Sequence, residues 1–418
     1  MIDLFNNLNN NNLIYPQIRL VFKSNNKNNF KSYNINFAKI KILRIINLTE
    51  INIYKDIFSE FNNYNNITYI HLENSKSKII NNLEIINNFT SLKYLYLEGF
   101  ELENSLILKL YDLTGLCIRD CKNIIIKDIF NSNNNKIKTL LCSTEDLLNI
   151  NIENLYLEKL ILSDKRNLDE LIFRKILNIK NLKSFYTYLN EEQIAKITEK
   201  NYTIDHLVVR TDEGCKGELF YLQNKFPNLK SFYLDGEFHE KNENIELIEN
   251  PNCKINNIYL RDLSNVKLYC NSYENLEACT VCLNGVINYN NLFPFNILDK
   301  KVLFKSIKTF KWICREGWNI DSKFFEKFEN ILDSMPNLKN LVLLLKSEDL
   351  TRDLYMKLLS KILLMKKLQN IFCEVNDSAS LLNKKLLKTI FPNIDTGHIN
   401  YLFITEFKQF KYPDDHVF

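Results

Sequence analysis

The apolar residues of this chain recur in one frame, L-x-x-L-x-L, in which positions one, four and six are apolar. The frame occurs fifteen times, and its first residues are Ile40, Ile67, Leu92, Leu113, Ile137, Leu157, Leu182, Ile204, Leu229, Ile255, Leu276, Ile307, Leu338, Leu368 and Ile399. Successive first positions lie from 20 residues (137 to 157) to 31 residues (368 to 399) apart. Such a period indicates stacked repeats that share one continuous core. We therefore expect one elongated solenoid from these 418 residues.

The frame predicts an α/β architecture. Positions four and six of each frame point to one side of a strand, and position five points to the other. Each repeat then adds one strand to a parallel sheet, and the chain returns through a crossover. Apolar spacings of three and four residues predict helices in five crossovers, at 168–177, 191–198, 324–332, 354–365 and 381–390. Because helices are wider than the strand spacing, we expect a curved parallel sheet on the concave side, with helices and short turns on the convex side.

Some repeats resemble a known family. The phrases that carry the resemblance are Leu113-Thr-Gly-Leu116-Cys-Ile118-Arg-Asp-Cys121, Leu276-Glu-Ala-Cys279-Thr-Val281-Cys-Leu-Asn284, Pro227-Asn-Leu-Lys-Ser-Phe232 and Pro336-Asn-Leu-Lys-Asn-Leu341. From 37 to 407 the chain resembles the leucine-rich repeat family, of the ribonuclease-inhibitor-like and F-box-associated type. The resemblance implies a protein-binding scaffold in which a ninth-position Asn or Cys hydrogen-bonds the backbone where the strand turns. That residue is present at Cys121, Asn190, Asn284 and Asn376. Other repeats lack it, so we expect an irregular solenoid.

Both ends of the chain lie outside the frame. In residues 1–36, alternating apolar residues at 13–22 and 30–37 predict strands that cap the first repeat. As an alternative, the segment from Tyr15 to Phe22 resembles the start of an F-box, a helical motif that recruits a ubiquitin ligase, although it lacks the acidic residue and the helical continuation. The expected organisation is an N-terminal cap or extension at 1–36, about 15 repeats at 37–407 and a C-terminal tail at 408–418.

Positions three, five and seven of each frame are predicted to line the concave face. Tyr and Arg dominate many protein interfaces, since they bury a large area at low entropy cost. The candidate partner-binding residues are Tyr94, Tyr96, Tyr186, Tyr188, Arg210, Tyr233, Asp235, Tyr259, Arg261, Phe372 and Phe403.

The sequence allows two interpretations of the tyrosines and apolar residues on this face. Tyr186, Tyr233 and Tyr259 share position five, which predicts an aromatic contact strip flanked by Arg210 and Arg261. Tyrosines on neighbouring strands also pack on each other without any partner. Further along, the face is apolar at Val342, Leu344, Phe372 and Phe403, and either a partner or the chain's own segment 407–418 would cover it.

Catalytic and metal motifs are not recognisable in the sequence. Cys279-Thr-Val-Cys282 has no second pair, and residues three apart on a strand point to opposite faces, so we expect one core thiol beside one surface thiol. His71 stands near Glu73, but a histidine on a strand face is more often a contact residue. With eight glycines there is no phosphate-binding loop and no G-x-S-x-G elbow. We expect no catalytic residue, no metal, no cofactor and no small-molecule substrate.

Charge and composition further limit the classes of function and the cellular location that we expect. The 54 Lys and Arg against 50 Asp and Glu give a net charge of +4, which is too small to indicate nucleic-acid binding. Asparagine-rich stretches fall in loops, for example at 62–66 and 133–135. The N-terminus lacks a signal-peptide pattern, and no run of eighteen apolar residues suggests a membrane span. We expect an intracellular protein, cytoplasmic or nuclear.

These observations predict a non-catalytic protein-interaction scaffold that binds a protein partner of unknown identity on its concave face. The alternative is the substrate-receptor subunit of a ubiquitin ligase, with a degenerate F-box-like N-terminus. A third possibility, a regulator of a small GTPase, would need an Arg or Asn cluster on one rim, and the sequence shows none.

Overall fold

A computed structural model describes the chain in segments. They are 17–21, 41–46, 66–74, 79–80, 83–130, 136–150, 156–164, 168, 170–189, 200–211, 225–236, 245–247, 254–261, 266–268, 275–283, 304–314, 322–345, 352–375, 392–393, 397–399 and 401–406. The chain divides into two compact units, Met1–Thr187 and Tyr188–Phe418.

The first unit is built on a parallel sheet. Its described strands, in chain order, are β1 (Gln17–Val21), β2 (Ile42–Ile46), β3 (Tyr69–Glu73), β4 (Ile79–Ile80), β5 (Tyr94–Glu98), β6 (Glu101–Ile107), β7 (Gly115–Arg119), β8 (Lys122–Ile125), β9 (Thr139–Cys142), β10 (Lys159–Leu162) and β11 (Ser184–Tyr188), which reaches the unit boundary. The main sheet has the order β1-β2-β3-β5-β7-β9-β10-β11, and a small sheet has the order β4-β6-β8. Strands of the main sheet follow the chain order, as stacked repeats require.

The second unit has the same organisation. Its described strands are β12 (His206–Thr211), β13 (Ser231–Gly236), β14 (Ile245–Leu247), β15 (Asn257–Arg261), β16 (Val266–Leu268), β17 (Ala278–Leu283), β18 (Thr309–Cys314), β19 (Asn340–Leu345), β20 (Asn370–Val375) and β21 (Tyr401–Glu406). The main sheet has the order β12-β13-β15-β17-β18-β19-β20-β21, and β14 pairs with β16 apart from it. Neighbouring main strands pair in parallel.

The strands coincide with the frames that the sequence predicts. The fourth and sixth positions of all fifteen frames lie on main-sheet strands, from β2 to β21. Equal frame positions pair across neighbours, for example Leu43 with Ile70 and Ile70 with Leu95. Among frame residues with described side chains, none is more than 5% exposed. Each buried aliphatic side chain contributes about 1.5 to 3 kcal/mol, so these residues form the core. The expectation of a solenoid-like α/β fold is confirmed at this level.

The N-terminal extension contributes strand β1, which pairs with β2 in the same register. Ile18 lies opposite Leu43, and Leu20 lies opposite Ile45. Residues Tyr15 to Leu20 therefore fit a further copy of the frame, which the sequence analysis missed because an aromatic residue holds position one. An F-box would need a helix where β1 lies, so this strand counts against the F-box resemblance. The second predicted cap strand, 30–37, lies outside the described residues.

Short helices connect some of the strands. The described α-helices are α1 (Lys127–Phe130), α2 (Thr144–Leu148), α3 (Glu170–Leu177), α4 (Ser322–Asp333) and α5 (Arg352–Leu363), and Glu84–Asn88 is a 3₁₀ helix. Three of these, α3, α4 and α5, confirm predicted helices, whereas the predicted helices at 191–198 and 381–390 fall outside the described residues. Among the described helices, none combines the length and apolar character needed to cross a lipid bilayer.

Helix α4 shows why the crossovers are helical. Phe328, Ile331 and Leu332 are buried at spacings of three and one, which gives the helix an apolar side. The Phe328 ring meets the Trp312 ring edge-on, with centroids 5.5 Å apart. Trp312 is fully buried at position six of its frame, so the helix packs on the core side of β18.

Candidate interaction face

The side chains at positions three, five and seven form the outward face, which is the side of each main sheet opposite the frame core. In β3 the burial alternates, because Ile70 and Leu72 are fully buried and the residues beside them are partly exposed. Parallel register brings equal positions of neighbouring strands together, so that Tyr69 pairs with Tyr94. Residues from different repeats therefore meet on this face although they are far apart in the sequence.

The first part of this face is aromatic and basic. The rings of Tyr69 and Tyr94 have centroids 6.4 Å apart, and the Arg44 guanidinium lies 5.4 Å from the Tyr69 ring centroid. Burial raises the pKa of Tyr69, while Arg44 opposes that shift. Tyr94 is 37% exposed, so its ring remains available at the surface. Arginine beside flat rings is the combination that interfaces favour.

Tyr96 is placed differently from Tyr94. It is 6% exposed, its ring centroid lies 4.1 Å from that of His71, and its hydroxyl donates a hydrogen bond of 2.6 Å to Oε2 of Glu98. Burial raises the pKa of Tyr96 strongly, and Cys117 and Glu98 add to the shift. The expected contact residue Tyr96 is thus mostly a packing residue that orients its neighbours.

Glu98 on β5 and Arg119 on β7 form an ion pair on the outward face. Arg119 Nη1 lies 3.7 Å from Glu98 Oε1, and the side chains of Arg119 and Glu98 are 31% and 27% exposed, respectively. The sequence analysis did not single out this pair, since the two residues belong to different repeats. Comparing equal frame positions of successive repeats would have found it.

At the end of the first unit, Tyr186 has a cationic neighbour. The Nζ atom of Lys159 lies 4.9 Å from the Tyr186 ring centroid, and burial lowers the pKa of Lys159. A desolvated ammonium over a ring is a strong cation–π contact. The cationic neighbour of Tyr186 within the first unit is therefore Lys159.

The second unit begins with a contact between an arginine and a tyrosine. Arg210 Nη1 donates to the Tyr188 hydroxyl over 3.4 Å, and the Arg210 guanidinium lies 5.8 Å from the Tyr188 ring centroid. Both side chains are half-buried. Two of the candidate residues are therefore in contact, with the planar guanidinium held against the ring.

Tyr233 and Tyr259 pack directly on each other. They pair in register, their ring centroids are 3.8 Å apart and their planes differ by 9°. Tyr233 is 6% exposed. Burial raises the pKa of Tyr259 strongly, with further contributions from Cys282 and Tyr233. This is the cross-strand packing that the second interpretation of the tyrosines predicted.

Two residues of the outward face are buried. Cys282, expected as a surface thiol, is 0% exposed and interacts with the Tyr259 side chain, so the expectation of a surface thiol was wrong. Leu344 belongs to the apolar part of the face, for which the sequence left either a partner or the segment 407–418 as the cover, and it is 2% exposed. Burial removes about 25 cal/mol of unfavourable hydration for each Å² of apolar surface, which favours covering such a side chain.

For the remaining candidate partner-binding residues, the structure describes fewer contacts. Phe372 is half-buried, and it pairs in register with Val342 on one side and Phe403 on the other. Arg261 is half-buried at the end of β15. Asp235 and Phe403 lie on β13 and β21, and their side chains are outside what the structure describes, as is the tail from 407 onward.

A groove lies at the starting edge of the strands in the second unit. It has a volume of about 440 Å³. Its lining residues are Asn275, Glu277, Lys305, Ser306, Lys308, Asn337, Lys339 and Lys367. Lys308 Nζ pairs with Glu277 Oε1 at 2.5 Å, and Lys367 Nζ donates to Asn337 Oδ1 at 2.6 Å. The excess of lysine favours acidic over basic ligands. The sequence did not reveal this groove, since residues near the starts of four repeats contribute to it.

The comparisons with known proteins do not assign a family. No protein-family model matches the chain. No curated protein sequence is significantly similar to it. What the chain does must therefore be argued from the outward face.

Proposed function

We propose that this chain is a non-catalytic scaffold of the leucine-rich repeat type that binds a protein partner on the concave, outward face of its sheet. The observation that carries the proposal is a Tyr and Arg set on β2, β3 and β5, in which Tyr69 and Tyr94 pair in register and the Arg44 guanidinium lies near the Tyr69 ring. Large rings and guanidinium groups supply most of the binding energy at many interfaces.

The rigidity of this set favours binding. The ring contact between Tyr69 and Tyr94, and the contact of Arg210 with Tyr188, hold these side chains before a partner arrives. Side chains that are ordered in advance lose less entropy on association. Buried Tyr96 and Tyr233 then serve as supports, while exposed Tyr94 makes direct contact.

One contact supports the family resemblance. Cys121, at the ninth position of its repeat, donates through Sγ to the carbonyl oxygens of Leu97 at 3.5 Å and Arg119 at 3.2 Å. This is the role that the resemblance implies for a ninth-position Cys. Strand β1 weighs against the ubiquitin-ligase alternative, because it occupies the residues on which the F-box resemblance rests.

The test is a comparative pulldown from native cells. Partners captured by the unaltered chain are identified by mass spectrometry and their affinities compared with those for Tyr94→Ala and Arg210→Ala. We expect each substitution to weaken the authentic partner about tenfold or more, as a contact residue worth over ~1.4 kcal/mol would. Tyr111→Ala is the matched control, since Tyr111 is 45% exposed, comparable to Tyr94 at 37%, but lies in the turn before β7 and not on a strand. Equal capture by all four proteins would overturn the proposal.

A further inference from the structure

We propose that His71, Glu73 and Glu98 bind one divalent transition-metal ion of the zinc class on the outward face of the first unit. Each residue offers one ligand atom, and these three atoms lie within 4.8 Å of one another. All three side chains are half-buried. An ion placed among them would contact an imidazole nitrogen and two carboxylate oxygens, which is a common donor set for such ions.

The sheet itself brings the three residues together. His71 and Glu73 occupy positions five and seven of the frame that begins at Ile67 and both lie on β3, so both point to the outward face. Glu98 lies directly opposite Glu73 on β5 in the parallel register. Neighbouring strands are about 4.8 Å apart, which sets the spacing of the ligands without any loop. A site built on strands keeps its geometry better than one built on loops.

The two carboxylates of this cluster would attract a cation. Glu73 and Glu98 are like charges opposite each other on neighbouring strands, an arrangement that destabilises a sheet. Arg119 offsets part of the repulsion from one side, with Nη1 at 3.7 Å from Glu98 Oε1. A divalent ion between the carboxylates would interact favourably with both.

Neighbouring groups hold two of the ligands in place. The Tyr96 hydroxyl donates to Oε2 of Glu98 at 2.6 Å, and the Tyr96 ring packs against the His71 ring at 4.1 Å. The Nε2 atom of His71 is shielded from solvent. Hydrogen bonds and packing of this kind orient metal ligands, and their loss typically weakens metal affinity about 10- to 100-fold.

The donor set selects the type of ion. An imidazole favours Zn²⁺ and its neighbours over Mg²⁺ and Ca²⁺, which prefer oxygen donors alone. Three protein ligands leave a coordination position open, for water or for a side chain of a partner. The sequence analysis did not predict a metal site. Metal motifs are recognised by ligands at short spacings within one segment, whereas His71 and Glu73 come from one repeat and Glu98 comes from the next.

The experiment titrates the metal-free full-length chain with ZnCl₂ by calorimetry, and with CoCl₂ as an absorbing probe. We expect one saturable site that MgCl₂ does not fill. His71→Ala and Glu98→Gln should each weaken Zn²⁺ binding about tenfold or more. Arg119→Ala should tighten it, since that substitution removes the cation that competes for Glu98. His206→Ala and Glu277→Gln, elsewhere on the strands, are the matched controls and should leave the affinity unchanged.

The opposite sign expected for Arg119→Ala separates a metal site from general damage to the fold, which would weaken binding in every variant. Circular dichroism establishes that each variant is folded, and Glu73→Gln replaces any variant that is not. The proposal fails if the folded His71→Ala and Glu98→Gln variants bind Zn²⁺ like the unaltered chain. It also fails if the Co²⁺ spectrum shows thiolate charge-transfer bands, because cysteines would then hold the ion.

Discussion

The ring of Tyr233 lies flat on the ring of Tyr259, with 3.8 Å between their centroids. Because Tyr233 is also 6% exposed, Tyr233→Ala should lower the free energy of unfolding by about 3 kcal/mol, as the truncation of a buried aromatic does. Urea denaturation measures the change. Tyr202→Ala, at a tyrosine that is 59% exposed, should shift the free energy by no more than about 0.5 kcal/mol.

This relationship also changes how the outward face should be tested. Replacing both Tyr233 and Tyr259 by alanine would remove a stacked pair of which Tyr233 is buried, so a loss of partner binding would also reflect loss of structure. Equal stability of Tyr233→Ala and Tyr202→Ala would show that the stack contributes nothing to the free energy of unfolding.

A second prediction concerns the attachment of α4 to its sheet. Trp312 is fully buried and Phe328 is 1% exposed, so each alanine variant should lose about 3 to 5 kcal/mol of unfolding free energy. The edge-on ring contact should appear as a coupling of about 1 kcal/mol when the double variant is compared with the sum of the single ones. Strict additivity would mean that the rings stabilise the unit only through burial. Leu364→Ala, at a leucine 61% exposed just beyond α5, is the control.

Much of the fold could be predicted because one rule repeats. Residues such as Leu43, Ile70 and Leu95 occupy the same frame position and are all fully buried, so the period alone identified the strands and the core. The outward face was harder to predict. Frame position states which side a residue points to, but its exposure depends on the neighbouring strands, which is why Tyr94 is exposed at 37% and Tyr96 is not, at 6%.

The contacts between repeats were the least predictable feature. Glu98 meets Glu73 from the preceding repeat and Arg119 from the following one. No local pattern contains these pairs, since each depends on parallel register. The contact of buried Cys282 with Tyr259 was hidden for the same reason, since the two residues belong to different repeats.

A third prediction tests the turn between β5 and β6. Gly99 has φ of +73°, a conformation that side chains with a Cβ rarely adopt, and a Cβ there would clash with the carbonyl oxygen of Asn74. Gly99→Ala should therefore lower the free energy of unfolding by about 1 to 3 kcal/mol. Asp120 also has a positive φ, of 51°, and its side chain is 74% exposed, so Asp120→Gly should be neutral or stabilising, and thermal denaturation compares the two variants. An unchanged melting temperature for Gly99→Ala would contradict the strain.

The fourth prediction concerns the buried thiols. Burial raises the pKa of Cys279 to about 12, and the pKa of Cys121 is also raised to about 12, chiefly by burial. Since only the thiolate reacts with alkylating reagents, both residues should stay unmodified near pH 8 in the folded chain and react fully in urea. Mass spectrometry of the tryptic peptides measures the difference. Rapid labelling of Cys279 without denaturant would show that its core position is open to solvent.

The same shifts set a direction for stability against pH. Unfolded thiols ionise near their ordinary pKa of 9.0, whereas the folded Cys279 and Cys121 keep their protons until about 12. Below pH 9 both states are protonated and these groups contribute their full stability; as the pH rises from 9 towards 12, ionisation lowers the free energy of the unfolded chain alone. The free energy of unfolding should therefore fall across this range. Cys279→Ala should flatten the fall, because it removes one of the groups that ionise, and urea denaturation at several pH values compares the two slopes.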